Sequence, residues 1–159
     1  MIAIPLMMLM FASDAAAPAT CDVVGTWDLV SLTSYDSSGK ANTSPFGPGA
    51  TGTLIYTADG RVITLISHGN RKLLSNGDRI TAPVEERAEA FATFFGYSGR
   101  YTIHGNTAVH HADLASVPNW VGTDMVRTVN CNGDTLELST PPIMANGAAR
   151  FTVTWKRAH

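Results

Sequence analysis

The chain has 159 residues, enough for one domain with a buried core, and carries a net charge of −2 with 15% charged side chains, below the ~25% usual in globular chains. No run of Lys or Arg occurs, which argues against a nucleic-acid surface of the ordinary basic kind. Fourteen glycines and eight prolines fall mostly between apolar runs, the spacing of many short strands and turns.

Residues 1–20 differ from everything after them. Ile2 to Phe11 is an apolar run followed by Ala15-Ala16-Ala17-Pro18-Ala19. Its length suits the apolar core and small-residue cleavage zone of an export signal and is too short to span a bilayer. No basic residue precedes it, the first being Lys40, so a plain apolar tail is the second reading and lipid attachment at Cys21 a third. An exported chain is expected to be secreted or periplasmic, with no stable membrane span. Cys21 and Cys131 are the two cysteines. They suit one disulfide in an oxidising compartment, worth on the order of 4–5 kcal/mol in the chain-entropy view; two buried thiols are the alternative. The domain proper is read as residues 21–159.

Val24 to Tyr35 reads as the first strand, opened by Gly25-Thr26-Trp27. Residues 36–50 hold too much Gly, Pro and Ser for regular structure and are expected to form a long loop. Thr51–Thr57 and Arg61–His68 are the next two strands, joined at Asp59-Gly60, a dipeptide that readily takes the positive φ of a tight hairpin. After a polar stretch the spacing predicts one amphipathic helix over Thr81–Phe95. Thr81 is its N-cap, Pro83 and two glutamates fill its first turn, Val84, Ala88, Phe91, Ala92 and Phe95 form one apolar face, and Gly96 is the stop. Strands then resume at Tyr97–Ile103, Thr107–Leu114, Thr123–Cys131, Asp134–Thr140 and Ala149–Arg157, with Gly105-Asn106 and Asn132-Gly133 as tight turns. Eight strands joined mostly by hairpins, with one helix inserted between the third and fourth, predict an all-β, up-and-down antiparallel barrel.

The same residues resemble a known family. Gly25-Thr26-Trp27 on the first strand and Trp155-Lys156-Arg157 on the last look like the lipocalin pattern, which implies that Arg157 packs over Trp27. Pro45-Phe46-Gly47-Pro48, Leu54-Ile55-Tyr56-Thr57, Gly99-Arg100-Tyr101, His110-His111, Pro118-Asn119-Trp120 and Leu138-Ser139-Thr140-Pro141-Pro142 are similar to bacterial and fungal lipocalin-like domain proteins. The resemblance covers residues 24–157 and implies a fold more than a reaction.

Meander topology sends alternate connections to opposite ends of the barrel. Residues 36–50, 69–96, 115–122 and 141–148 are long and share one end; Asp59-Gly60, Gly105-Asn106 and Asn132-Gly133 are short and share the other. Long loops at one mouth are where a ligand is expected to enter. Cys21 and Cys131 both fall at the short-turn end, so a bridge between them is geometrically reasonable.

The candidate ligand-binding residues are Tyr35, Phe46, Tyr56, His68, Tyr101, His111, Trp120 and Arg127. His110 and His111 point to opposite faces of their strand; the register favours His111 as the inward one, although alanines blur the alternation. Arg127 shares the face of Met125, Val129 and Cys131. It reads either as a structural ion pair with Asp113 or Glu137 or as an anchor for a carboxylate or enolate. Trp27 and Arg157 read as structural. No spacing suits a metal site, no Gly-x-Ser-x-Gly occurs, and no Gly-rich loop follows a strand and opens a helix, so neither a metal nor a cofactor is expected. The function expected is binding of a small, mostly apolar molecule with one polar or acidic group, by a monomer or homodimer. The alternative is a cofactor-free cyclase, isomerase or lyase using His111 as acid/base and Arg127 as anion anchor. A purely structural role is the third possibility.

Overall fold

The computed structural model describes residues 22–142 and 150–159. The elements, in order, are β1 (Gly25–Tyr35), β2 (Ala41–Asn42), β3 (Thr51–Tyr56), β4 (Arg61–Ser67), α1 (Val84–Ala92), β5 (Phe94–His104), β6 (Thr107–Ala115), β7 (Asp124–Asn132), β8 (Thr135–Ser139) and β9 (Arg150–Arg157). Each long strand pairs antiparallel with the next, and β9 returns to β1, which closes an eight-stranded barrel. The added two-residue β2 hairpins onto Ser34 and Tyr35. Strand bounds expected from periodicity hold to within three residues, the largest shift being the start of β5.

Closure depends on β1 serving two neighbours. Its first residues, Gly25–Asp28, pair with β3, while Trp27–Tyr35 pair with β9 through a bulge between Leu29 and Ser31. The extra residue there shifts the alternation, so that Trp27 and Leu29 face inward before the bulge and Leu32 after it. The inward faces build one core: Trp27, Leu32, Leu54, Tyr56, Val62, Ile66, Ala108, Val129, Leu136, Leu138 and Trp155.

Trp27 closes the short-turn end. It is fully buried, its Nε1 donates to the Val23 carbonyl at 2.8 Å, and the Arg157 guanidinium lies 4.1 Å from its ring centroid. Arg157 donates in turn to the carbonyls of Val24 (2.8 Å) and Asp22 (3.0 Å). Gly25 makes this possible, since a Cβ there would lie 2.6 Å from Arg157 Nη1. The packing expected of these two residues from the lipocalin resemblance is what the structure shows.

The helix departs from expectation. It spans Val84–Ala92 rather than 81–95, starts at Pro83 without a side-chain cap, and ends at Thr93. Gly96, expected as its stop, pairs with Leu65 inside β5. None of its residues is buried, and Phe91 is 58% exposed. Phe95, expected on the helix face with Phe91, belongs to β5 and packs on the core. Pairing of residues 94–96 with β4 outweighs their helical spacing. Residues 1–20, Cys21 and most of the 141–148 loop lie outside the described residues, as does the Cys21–Cys131 pairing.

Candidate functional site

β6 carries the decisive residue. Ala108, His110 and Ala112 share its buried face, so His110, not His111, looks into the lumen. His111 faces outward, and its Nδ1 lies 2.6 Å from Asp124 Oδ1. Opposite Ser98 and Gly99 of β5, β6 carries a bulge whose extra residue is Asp113, which shifts the alternation between Ala112 and Leu114. Gly99 is required there, because a Cβ would collide with the His111 carbonyl oxygen.

The His110 imidazole is clamped by two phenols. Tyr56 Oη lies 2.6 Å from Nε2 and Tyr97 Oη lies 2.7 Å from Nδ1. A neutral imidazole has one donor and one acceptor nitrogen, so one tyrosine donates to the ring and the other accepts from it. Burial pulls the imidazole down to about 3, with the charges of Arg127 and His111 adding to the effect. The ring is therefore neutral at physiological pH. Burial, with a contribution from Tyr97, pushes the Tyr56 phenol up.

From this clamp aromatic rings run to the mouth. Tyr97 meets Trp120 at 6.3 Å, Trp120 meets Phe95 at 5.7 Å, Phe95 meets Phe46 at 5.7 Å, and Phe46 stacks on His68 at 4.2 Å. On its deep side His110 contacts Tyr56, which packs edge-on to Tyr101 at 4.8 Å. Tyr101 donates to the Thr57 carbonyl at 3.0 Å, tying the inner end of the ladder to the β3–β4 turn. Most contacts are edge-to-face, the geometry favoured by ring quadrupoles. The long loops supply the outer rings: Phe46 comes from the 36–50 loop, where its carbonyl accepts from Gly69 N at 2.9 Å, and Trp120 ends a short 3-10 turn, Pro118–Trp120. Phe46, His68, Phe95 and Trp120 are half-buried, whereas Tyr97 and His110 are buried.

Arg127 takes the inward register of β7 with Met125, Val129 and Cys131. Its Nη1 donates to the Val126 carbonyl at 2.8 Å, and Nη2 lies 3.8 Å from Met125 Sδ. The ion pair considered for it is absent among the described residues: Asp113 pairs with Arg61 at 2.9 Å, and Glu137 alternates with the inward-facing Leu136 and Leu138. The Arg127 charge acts on both Tyr56 and His110.

Of the eight candidates, Phe46, Tyr56, His68, Tyr101 and Trp120 thus fall on one ladder, and Arg127 faces the same lumen. Two do not join it. His111 is on the outer wall, and Tyr35 stacks under the Arg150 guanidinium at 4.3 Å, on the face opposite to Leu32 and Ser34. Tyr97, Phe95 and His110 were missed as candidates. Phe95 is hidden in the helical pattern, and the inward register of His110 is obscured by its neighbours at period two, Ala108 and Ala112, which suit either face. Among the described residues no cluster of three or more His, Cys, Asp or Glu is placed to hold a metal. A groove of about 390 Å³ lies on the outer flank, lined by Asp28, Thr53, Leu65, Ser67 and Phe94 among others; it shares no residue with the ladder.

A family profile for the lipocalin-like domain matches residues 24–158. The chain belongs to the lipocalin-like domain family. A relative of this lipocalin-like barrel, the 4'-hydroxy-3'-methoxypropiophenone carrier protein of Aspergillus oryzae, is 33% identical over 100 residues, covering 57% of this chain and 85% of that protein. Two solved structures are similar at lower identity. A lipoprotein, YedD, from Klebsiella pneumoniae is 12% identical, with a TM-score of 0.42, over 90% of this chain and 75% of that one. A lipocalin-like protein from Bacteroides uniformis is 13% identical, with a TM-score of 0.44, over 87% of this chain and 100% of that one.

Proposed function

We propose that this lipocalin-like barrel binds and carries a small, flat, mostly aromatic molecule bearing at least one oxygen group. The ligand enters between the 36–50 and 115–122 loops and lies against Phe46, Phe95 and Trp120. Its polar end points toward Tyr97, His110 and Arg127. The observation that carries this reading is the continuous ring ladder, half-buried at the mouth and ending inside on a buried Tyr–His–Tyr clamp. Rings that already contact one another edge-on offer faces to a planar guest at little ordering cost. The Aspergillus relative supports the reading, since the compound in its name is a phenolic aryl ketone.

Carrying is favoured over turnover. The catalytic alternative needs His111 and Arg127 at one buried point, and these residues stand on opposite faces of the barrel wall. The imidazole that does face the lumen has both nitrogens engaged, which suits recognition better than proton transfer. Export directed by residues 1–20 and a Cys21–Cys131 bridge belong to the same proposal, as fits a carrier working in an oxidising compartment.

The test is titration of the purified protein with 4'-hydroxy-3'-methoxypropiophenone and with its ring-saturated cyclohexyl counterpart, read by tryptophan fluorescence and calorimetry. The aromatic compound should bind, the saturated one more weakly, and Trp120→Ala should lower affinity by about tenfold or more. Equal binding of both compounds that survives Trp120→Ala and Phe95→Ala would remove the ladder from the site.

A further inference from the structure

Inside the barrel the spare polar capacity is almost all of one kind. The strand carboxylates Asp28, Asp113, Asp124 and Glu137 alternate with inward residues and face out, so among the described strand residues none presents an acid to the lumen. Arg127 faces in, and its hydrogen bonds among the described residues go to one carbonyl and a thioether sulfur, which leaves most of its five N–H donors uncommitted. The Tyr–His–Tyr clamp adds another donor. Whichever tyrosine accepts from the imidazole N–H still holds its own O–H proton, free to point elsewhere. Two further lumen-facing groups, Trp155 Nε1 and Thr64 Oγ1, are buried without a hydrogen-bond partner among the described residues. The first can only donate. The second sits on the β4 residue paired with Tyr97. These inward-facing donors and the unneutralised guanidinium lack a complementary acceptor among the described residues.

We infer that the barrel takes its ligand as an oxyanion, a phenolate or enolate rather than the neutral phenol or ketone, with Arg127 as its counter-ion and the clamp tyrosine as its hydrogen-bond donor. This rests on the lumen-binding reading above and adds to it the ligand's charge state. The geometry separates two jobs. Phe46, Phe95 and Trp120 offer ring faces that accept any flat apolar guest, whereas Arg127 adds affinity only when the guest carries a negative oxygen. A neutral guest would leave the guanidinium and the tyrosine O–H desolvated against an acceptor too weak to repay both. The proton of the acid is shed to solvent on entry, since the imidazole is neutral with both nitrogens already bonded. Binding of an acidic phenol should therefore release a proton whenever the free compound is protonated.

The probe is 4-nitrophenol, whose neutral and ionised forms absorb at different wavelengths, with its methyl ether 4-nitroanisole as a guest of the same shape that cannot ionise. At a pH where free 4-nitrophenol is mostly neutral, the wild type should bind it with the phenolate absorption band and should bind 4-nitroanisole about ten- to a hundredfold more weakly. Arg127→Met should remove the phenolate band and bring the two affinities together, while Arg127→Lys, which keeps a charge, should retain part of the band. Thermal melts of both variants establish that they are folded. Binding of 4-nitrophenol with the neutral spectrum, equal affinity for the two probes, or a phenolate band that survives Arg127→Met would overturn the oxyanion inference while leaving the aromatic carrier reading intact. Failure of the wild type to bind either probe, or any aryl ketone, would overturn both.

Discussion

Acidification should weaken this fold chiefly through His110. In the folded chain burial holds the imidazole down at about 3, while an unfolded chain carries it near 6.5. Between those values the unfolded state binds a proton that the folded state refuses. Stability is therefore complete above about pH 6.5 and falls as pH drops through that window. For one such group the slope approaches about 1.4 kcal/mol per pH unit, and the loss reaches on the order of 5 kcal/mol by pH 3. Small domains hold roughly 5–15 kcal/mol in all, so acid unfolding should begin well before most carboxylates protonate. His68 works in the same direction, lowered by burial and by Arg71. Asp36, Asp59 and Asp78 are held below their usual range by hydrogen bonds from their own turns, and they lose that contribution only below about pH 4. The interval from about pH 4.5 to about pH 7 thus isolates the histidines. Urea unfolding in steps across it should give a steep slope for the wild type, a slightly shallower one for His68→Asn and a nearly flat one for His110→Phe. The last variant loses stability at neutral pH as well, about 1–3 kcal/mol for each tyrosine hydroxyl left unpaired, so the slope and not the intercept is diagnostic. An NMR titration of the wild-type imidazole checks the same point without mutation. A His110 resonance that titrates near 6, or an unchanged slope in His110→Phe, would refute the reasoning.

Three further outcomes follow from the packing. Trp27→Ala should lose about 3–5 kcal/mol in chemical denaturation, as for other fully buried tryptophans, while leaving aryl ketone affinity unchanged, because Trp27 closes the end opposite the ladder's mouth. Gly99→Ala should lose about 1–3 kcal/mol by forcing β5 away from β6, and near-UV circular dichroism of the buried tyrosines should change with it; an unperturbed spectrum and melt would contradict the close approach. Protein recovered from an oxidising compartment should have an intact mass lower than its fully reduced form by two hydrogens, with Cys21 and Cys131 joined in one proteolytic fragment. Equal masses would remove the proposed bridge.

Much of this architecture is written in the chain at short range. Asp59-Gly60, Gly105-Asn106 and Asn132-Gly133 mark tight turns, and the runs between them alternate well enough to place strands. The inward face of Arg127 was also readable, because Met125, Val129 and Cys131 flank it at period two. What was not readable depended on long-range pairing. Phe95 continues the helical spacing of Val84 and Phe91 up to the expected stop at Gly96, and only hydrogen bonding to β4 draws residues 94–96 into a strand. His110 and His111 are told apart by the alternation of β6, which a bulge at Asp113 on the same strand interrupts, and two alanines, equally at home inside or out, give little sign of it. Tyr35 failed for a similar reason: the bulge after Leu29 shifts every later residue of β1 by one face.

The seam between β1 and β9 joins residues 27–35 to residues 150–157, nearly the full length of the sequence. During synthesis β1 emerges before every other strand of the barrel and must wait for all of them before its last partner exists. Until then the lumen is an open, curling sheet, with Trp27 uncovered and one long edge unpaired. Such distant pairing slows folding. Arg157, near the C-terminus, is also the residue that reaches back to Asp22, Val24 and Trp27. A chain halted before β9 is thus a sheet with no floor and no closed lumen, and the container that the proposed carrier role needs is completed only by β9.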